Sequence, residues 1–302
     1  MNFQQNTSLD KVLTALFLPY KKSVTDVEKI SKAMINANII SNEDEIVNDH
    51  IAFRTLGVPN LGISSFEKIF LHYGYTKMDS YYFPGKKLDA YWYAPPSPEY
   101  PRIFISELRV QDLSSKAQRI ISEYTNAINT DPIDTIDLDD TKAVGDFFYQ
   151  PLWKLPTLAH FQQLSEESEY AAWVIYNRYY LNHYTISVHD LPSPYNSLEV
   201  FNEFLEGLGI VLNTSGGKIK TSKDGLLRQS SSVAEMVDAT FAHNETMKIS
   251  GSYVEFAERS ILPEFASLDK NEIQREHRRE GFEAANADKI FESTYLEQTS
   301  KK

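Results

Sequence analysis

The sequence contains no cysteine. That removes disulfides, thiolate metal ligands, iron–sulfur clusters and cysteine nucleophiles from consideration. No apolar run approaches the roughly 20 residues that cross a bilayer, so no membrane partner is expected. The N-terminal stretch MNFQQNTSLDKV has neither the basic start nor the apolar core of a secretory signal. Together these absences point to a cytoplasmic protein. Positive charge is scarce as well: 30 Lys and Arg against 42 Asp and Glu leave a formal net charge of -12 over 302 residues. The basic residues are scattered, apart from a short knot at Arg275, Arg278 and Arg279. No basic stripe with interleaved aromatics is present, and nucleic acid is excluded as a partner on that ground.

What is abundant is aromatic residues, 18 Tyr and 17 Phe, whose ordinary use is packing in β-rich cores. From Ser8 to Asn38 apolar residues recur at helical spacing, and Pro19 is expected to split the stretch into two helices. IAFRTLG then alternates as a strand. An amphipathic helix follows between Gly62 and Tyr75, opened by Ser64 or Ser65 and closed by Gly74. Three extended runs come next, YTKMDSYYF, KLDAYWYAPP and PRIFISELRV, separated by Pro84-Gly85 and by the proline cluster from Pro95 to Pro101. The same order returns in HYTISVH, the helix SLEVFNEFLEGLGI, and the extended runs VLNTSGGKIKTS, DGLLRQSSSVAE and MKISGSYVEFAER. The repetition is one of pattern and not of letters. It gives an α+β protein: N-terminal helices over 1–45, a βαβββ module over 46–110, a helical linker over 111–181, a second module over 182–260 and a C-terminal helical segment over 261–302. All five parts are expected to form one integrated catalytic domain. The acidic run from Asp131 to Asp140 lacks the glycine and closing glutamate of a calcium loop and reads as a solvated turn. The last residues, EQTSKK, read as disordered.

Each module opens on a histidine, His50 in NDHIAFRT and His183 in LNHYTISV. Alternate residues of a strand share a face, so His50, Ala52 and Arg54 point one way, and His183, Thr185 and Ser187 likewise. With the apolar sets turned to the helices, two pseudosymmetric sheets bring both imidazoles into one pocket. In SYVEFAER the matching face carries Glu255, a carboxylate that is costly to bury unless paired or bound to a metal. Two histidines and one carboxylate form the facial triad favoured by non-haem Fe(II), although the same donors suit Mn or Zn. Glu107, in the corresponding strand of the first module, could be a fourth ligand, support a metal-bound histidine, or pair with Arg102 or Arg109. Arg54, roughly 13 Å along the strand from His50, suits either a bidentate carboxylate of a ligand or an acidic neighbour. The histidines at 72, 160, 189, 243 and 277 have no comparable context, and His189 beside Asp190 reads as structural.

The elements HIAFRTLG, SELRV, LNHYTISVHDL, LLRQSS, YVEFAER and GFEAANADKIFEST together resemble the 2-oxoadipate dioxygenase/decarboxylase family, also called hydroxyglutarate synthase. The likeness runs from about Asn48 to Thr294, with His-x-x-x-Arg as its most telling part. It implies a vicinal-oxygen-chelate-like β-sheet cup with flanking helices, in agreement with the paired modules. It implies Fe(2+) held by His50, His183 and Glu255. Arg54 becomes the catalytic and substrate-binding arginine, with the substrate also meeting His50, His183 and, in the C-terminal segment, Ala285 and Asn286. In that segment the chain departs from longer members, which carry small and hydroxylated residues before the equivalent of Lys289-Ile290-Phe291. The implied partners are a small 2-oxo acid and O2, and the implied products are 2-hydroxyglutarate and CO2. Two other readings share the architecture. One is a metalloenzyme of isomerase, lyase or extradiol type; the other is a non-catalytic cup for a small ligand.

Overall fold

A computed structural model describes residues 6–302. Eight strands form one curled sheet, flanked by helices. The first module supplies β1 (Asn48–Leu56), β2 (Thr76–Phe83), β3 (Leu88–Ala94) and β4 (Arg102–Leu108). The second supplies β5 (His183–Ser187), β6 (Lys220–Thr221), β7 (Leu227–Ser231) and β10 (Tyr253–Arg259), while β8 (Met236–Thr240) and β9 (Thr246–Ser250) stand apart as a hairpin. The order in the large sheet is β2-β3-β4-β1-β5-β10-β7-β6. In each module the first strand pairs parallel with the last, β1 with β4 and β5 with β10, and the halves join through the antiparallel pair β1–β5. The two βαβββ halves are therefore related by a pseudo-twofold axis at the centre of the sheet.

Both faces of the central strands are covered, and every residue of β1 and β5 is buried. On the convex face lie the helices Ile63–His72, against β3 and β4, and Leu198–Gly207, against β7 and β10. On the concave face the helix Glu169–Asn177 packs on β1. The helix Ala284–Phe291 touches β2 and β6, the two edges of the sheet, as well as β7. It therefore lies across the mouth of the cup.

Several local expectations need correction. Pro19 sits inside a helix running Ser8–Ser23, and the break comes where Val24 turns extended. A proline there removes one amide donor to the preceding turn, yet the helix continues past it to Ser23. MKISGSYVEFAER is two strands: MKIS belongs to β9, and the chain redirects at Gly251, whose amide donates to the Glu235 carbonyl. The run VLNTSGGKIKTS is mostly turn, since its Thr-Ser-Gly-Gly centre leaves only Lys220–Thr221 extended. The C-terminal residues are helical over Leu296–Thr299, with Gln298 and Thr299 buried.

Glu107 has a role other than those weighed from the sequence. Its Oε2 accepts from the Ile63 amide at 2.7 Å and so anchors the start of the helix Ile63–His72. Gly62 precedes that amide with φ +84°, and a Cβ there would lie 2.1 Å from Glu107 Oε2. Gly62→Ala therefore forces both backbone strain and displacement of the carboxylate. The expected cost is about 2–4 kcal/mol, read as a fall in Tm of several degrees. Gly85→Ala, where a Cβ meets nothing within 4 Å, is the control. Equal Tm values for the two variants would refute this account of Gly62.

Candidate active site

The curled sheet brings His50, His183 and Glu255 together with candidate ligand atoms all within 4.8 Å of one another. His183 Nε2 lies 3.0 Å from Glu255 Oε2, and His50 Nε2 lies 3.5 Å from Oε1. Two ligands each about 2.1 Å from one ion and roughly at right angles lie about 3 Å apart, so the spacing fits a single ion. All three side chains are inside the protein, Glu255 and His50 at 1% exposure and His183 at 5%. No lysine or arginine forms an ion pair with Glu255 among the described residues. A carboxylate this deep is expensive unless it meets positive charge. Burial pushes its pKa up, but the two imidazoles more than offset that and hold it well below the usual carboxylate range. The donor set and its spacing fit a divalent cation.

Each imidazole is aimed by the residue before it. His50 Nδ1 donates to Asp49 Oδ1 at 2.7 Å, and His183 Nδ1 lies 3.1 Å from Asn182 Oδ1. With Nδ1 engaged, Nε2 is the nitrogen turned toward Glu255, and that of His50 also lies 3.0 Å from the Thr185 hydroxyl. Adjacent strand residues normally point to opposite faces. The irregular pairing of β1 with β5 between Asn48 and Ile51 accompanies the Asp49 side chain's return to its neighbour. Asp49 is itself clamped by Arg259, at 2.6 and 2.9 Å, and by Arg102 at 3.2 Å. The two modules differ in charge here, aspartate behind one histidine and asparagine behind the other. Burial pulls both histidines down, but Glu255 and Asp49 raise His50 above its ordinary value while His183 stays below.

Sequence reading missed Gln229, whose Nε2 donates to Glu255 Oε1 at 2.6 Å and whose Oε1 accepts from Asn286 at 3.0 Å. Asn286 thus reaches the cluster through Gln229. Its neighbour Ala285 is solvent-exposed and lines no part of the site. The phase of the helix explains the correction: Asn286, Ala287, Ile290 and Phe291 face inward, and position 285 falls on the opposite side. Phe104, Phe282, Ala287, Ile290 and Phe291 wall a cavity of about 20 Å³ over the three candidate ligands and Gln229.

The register also corrects the comparison between modules. Ala52 pairs with Phe104 as Thr185 pairs with Glu255. The counterpart of Glu255 is therefore Phe104 and not Glu107, which lies on the helix side. The pseudosymmetry supplies two histidines but one carboxylate.

Arg54 is at 1% exposure and has no carboxylate partner among the described residues. Nη1 donates to Thr294 Oγ1 and Nη2 to the Phe291 carbonyl, both at 2.9 Å, while Nε has no partner. The guanidinium stacks near Tyr170, Trp173 and Phe291. Phe291 also walls the cavity over the cluster, so one ring stands between Arg54 and the candidate ligands. The ion pair considered for Arg54 is absent among the described residues; Glu169, the acid that feels its charge, accepts from the Leu296 amide instead.

The chain is similar to proteins already known. A family model described as 2-oxoadipate dioxygenase/decarboxylase matches residues 12–271. The chain is 46% identical over 272 residues to the Arabidopsis thaliana protein named "2-oxoadipate dioxygenase/decarboxylase, chloroplastic", covering 86% of this chain and 71% of that protein. It is 45% identical over 269 residues to an Oryza sativa subsp. japonica protein of the same name, described as chloroplastic/amyloplastic, covering 86% and 72%. The crystal structure of the Oryza sativa hydroxyglutarate synthase in complex with 2-oxoadipate superposes with TM-score 0.89 at 41% identity, covering 97% of this chain and 94% of that one. A putative glyoxalase superfamily protein from Ralstonia eutropha shares the fold, with TM-score 0.69 at 20% identity over 92% of this chain and 87% of its own.

The cytoplasmic location expected from the sequence is corrected by these relatives, whose names place both in plastids. A lack of cysteine bears on the redox environment and does not distinguish cytoplasm from plastid. The α+β cup, the paired modules and the extent of the match establish that the chain belongs to the 2-oxoadipate dioxygenase/decarboxylase family.

Proposed function

We propose that the chain is an Fe(II)-dependent dioxygenase that converts 2-oxoadipate, or a closely similar 2-oxo dicarboxylic acid, with O2 to 2-hydroxyglutarate and CO2. The observation that carries this reading is the pairing of a buried two-histidine, one-glutamate cluster with a buried arginine that has no carboxylate partner among the described residues. His50, His183 and Glu255 would hold the iron. When bound, that ion would supply the redox chemistry for oxygen activation and decarboxylation. Arg54 binds the far carboxylate of the acid, for which its planar fork is suited. Asp49 and Asn182 keep both Nε2 atoms turned inward, and Gln229 steadies Glu255. The phenylalanine walls exclude water from the reacting end.

A cavity of about 20 Å³ admits one water-sized group, not a six-carbon acid. Substrate entry therefore requires the segment from Phe282 to Thr294 to yield, and Arg54 is the residue that grips it, through Phe291 and Thr294. In this reading the carboxylate of the acid competes for the guanidinium and loosens that grip as it binds.

The test is anaerobic loading with Fe(II), followed by oxygen uptake and CO2 release with 2-oxoadipate and with pyruvate as control. Uptake with 2-oxoadipate alone, yielding 2-hydroxyglutarate, is the expected outcome. Bound iron with no oxygen consumed on any 2-oxo acid would sink the oxidative reading.

A further inference from the structure

The arginine knot noted in the sequence has no part in the chemistry above. Two of its members, Arg275 and Arg278, line a second pocket of about 210 Å³ at the ends of β1, β5 and β10, closed by the segment that follows β10. Arg102, Arg259, Arg275 and Arg278 all face this pocket, together with Asp49 and His189. It shares no lining residue with the cavity over the three candidate ligands.

The charges facing it do not cancel. Asp49 is fully engaged by Arg259 and Arg102. Glu280 is paired with Arg102 and lies 3.5 Å from Arg275 Nε. Asp190 accepts from the Ser187 hydroxyl at 2.7 Å. Three carboxylates thus stand among four guanidinium groups. Arg278 makes no ion pair among the described residues; its Nη1 donates to the Arg259 carbonyl at 2.8 Å. Arg275 Nη1 serves the Pro98 and Tyr100 carbonyls, but its Nη2 is buried without a partner. His189 adds no charge, since burial pulls it down to about 4 and its Nδ1 accepts from the Arg259 amide.

A buried guanidinium N–H with no acceptor is costly, and an oxyanion is the ligand that matches its fork. At about 210 Å³, against about 20 Å³ for the cavity that admits one water-sized group, the pocket has room for a small polyatomic anion. We propose that this pocket is a second binding site, for a small multiply charged oxyanion held between Arg275 and Arg278. A short dicarboxylate and inorganic phosphate share that chemistry.

The experiment is calorimetric titration of the full chain with inorganic phosphate and, separately, with succinate. One saturable site per chain is expected for at least one of them, and the tighter of the two identifies the source of the charge. Arg278→Gln and Arg275→Gln should each weaken that binding by about tenfold or more, the effect of losing one charge-assisted bond. Arg54→Ala should leave it unchanged. Arg275 also supports two carbonyls, so Arg278, which faces the pocket without an ion pair, carries the test if the Arg275 variant unfolds. No saturable binding of either anion, or equal affinity in the wild type and the Arg278 variant, overturns the proposal. So does succinate binding that is lost in Arg54→Ala and kept in Arg278→Gln, because the acid would then occupy the substrate pocket. None of these readouts uses oxygen consumption, so the second site stands or falls independently of the proposed reaction.

Discussion

Glu255→Ala should abolish stoichiometric metal binding and oxygen uptake while leaving the fold in place. The residue is the sole carboxylate of the cluster and sits between the two imidazoles, 3.0 Å from His183 Nε2 and 3.5 Å from His50 Nε2. Changes to groups that only support a metal ligand cost roughly 10–100-fold in affinity or activity, so losing a ligand itself should exceed that range. Two neutral imidazoles would remain, too few donors and too little charge to retain a hard divalent ion at a buried site. The fold should survive because the change also removes a buried negative charge. Thermal unfolding separates the two effects. Metal at about a hundred times its Kd adds ~2.7 kcal/mol to the folded state, a rise in Tm of roughly 5 °C. The wild type should show that rise and Glu255→Ala should not, with similar metal-free Tm values. A variant that binds the metal one-to-one and gains the same stability would disprove the ligand assignment. Glu107→Ala should keep the metal-dependent rise, because Glu107 anchors a helix on the other face of the sheet.

How much of this was legible in the sequence depends on which interactions are local. The His50 and His183 positions were readable because a strand alternates faces every residue and the module repeats, so one rule applied twice gave both imidazoles. Glu255 followed from the same alternation. Glu107 does lie in the strand that matches the one carrying Glu255, but its face could not be read without the register between strands, and only the pairing of His50 with Arg102 shows that Phe104 holds the matching position. The support from Asp49 could have been suspected, since an acid or amide precedes each histidine in NDH and LNH. Its geometry depends on the irregular pairing in β1, which has no sequence signature. Gln229 and Asn286 lie 57 residues apart and meet only because the C-terminal helix crosses the cup. The β8–β9 hairpin was hidden for a different reason: Gly251 reverses nothing in the hydrophobic pattern, so two strands read as one. The inward side of the helix Ala284–Phe291 required its start to within one residue, the kind of boundary least visible in a sequence.

Arg54→Lys should cut kcat/KM for 2-oxoadipate by about 30-fold to more than 10³-fold while changing that for 2-oxohexanoate, which has a methyl in place of the distal carboxylate, far less. Truncating one partner of a buried charge pair costs about 2–5 kcal/mol, which sets the range. Lysine keeps the charge but loses the fork that can hold both carboxylate oxygens. The comparison of two acids is needed because Arg54 has a second duty. It donates to the Phe291 carbonyl and to Thr294, so any substitution also loosens the segment across the mouth of the cup. Loosening affects both acids alike, whereas loss of carboxylate recognition affects only the dicarboxylic one. An equal fall for the two substrates would make Arg54 a positioning residue for the C-terminal segment and remove it from substrate recognition. A selective fall for 2-oxoadipate would place its carboxylate at the guanidinium. It would also account for a fully buried arginine with no carboxylate partner among the described residues. A permanent acidic neighbour would stabilise the resting protein but compete with the acid it is proposed to bind. Stacking on Tyr170, Trp173 and Phe291 holds the cation in place without such competition.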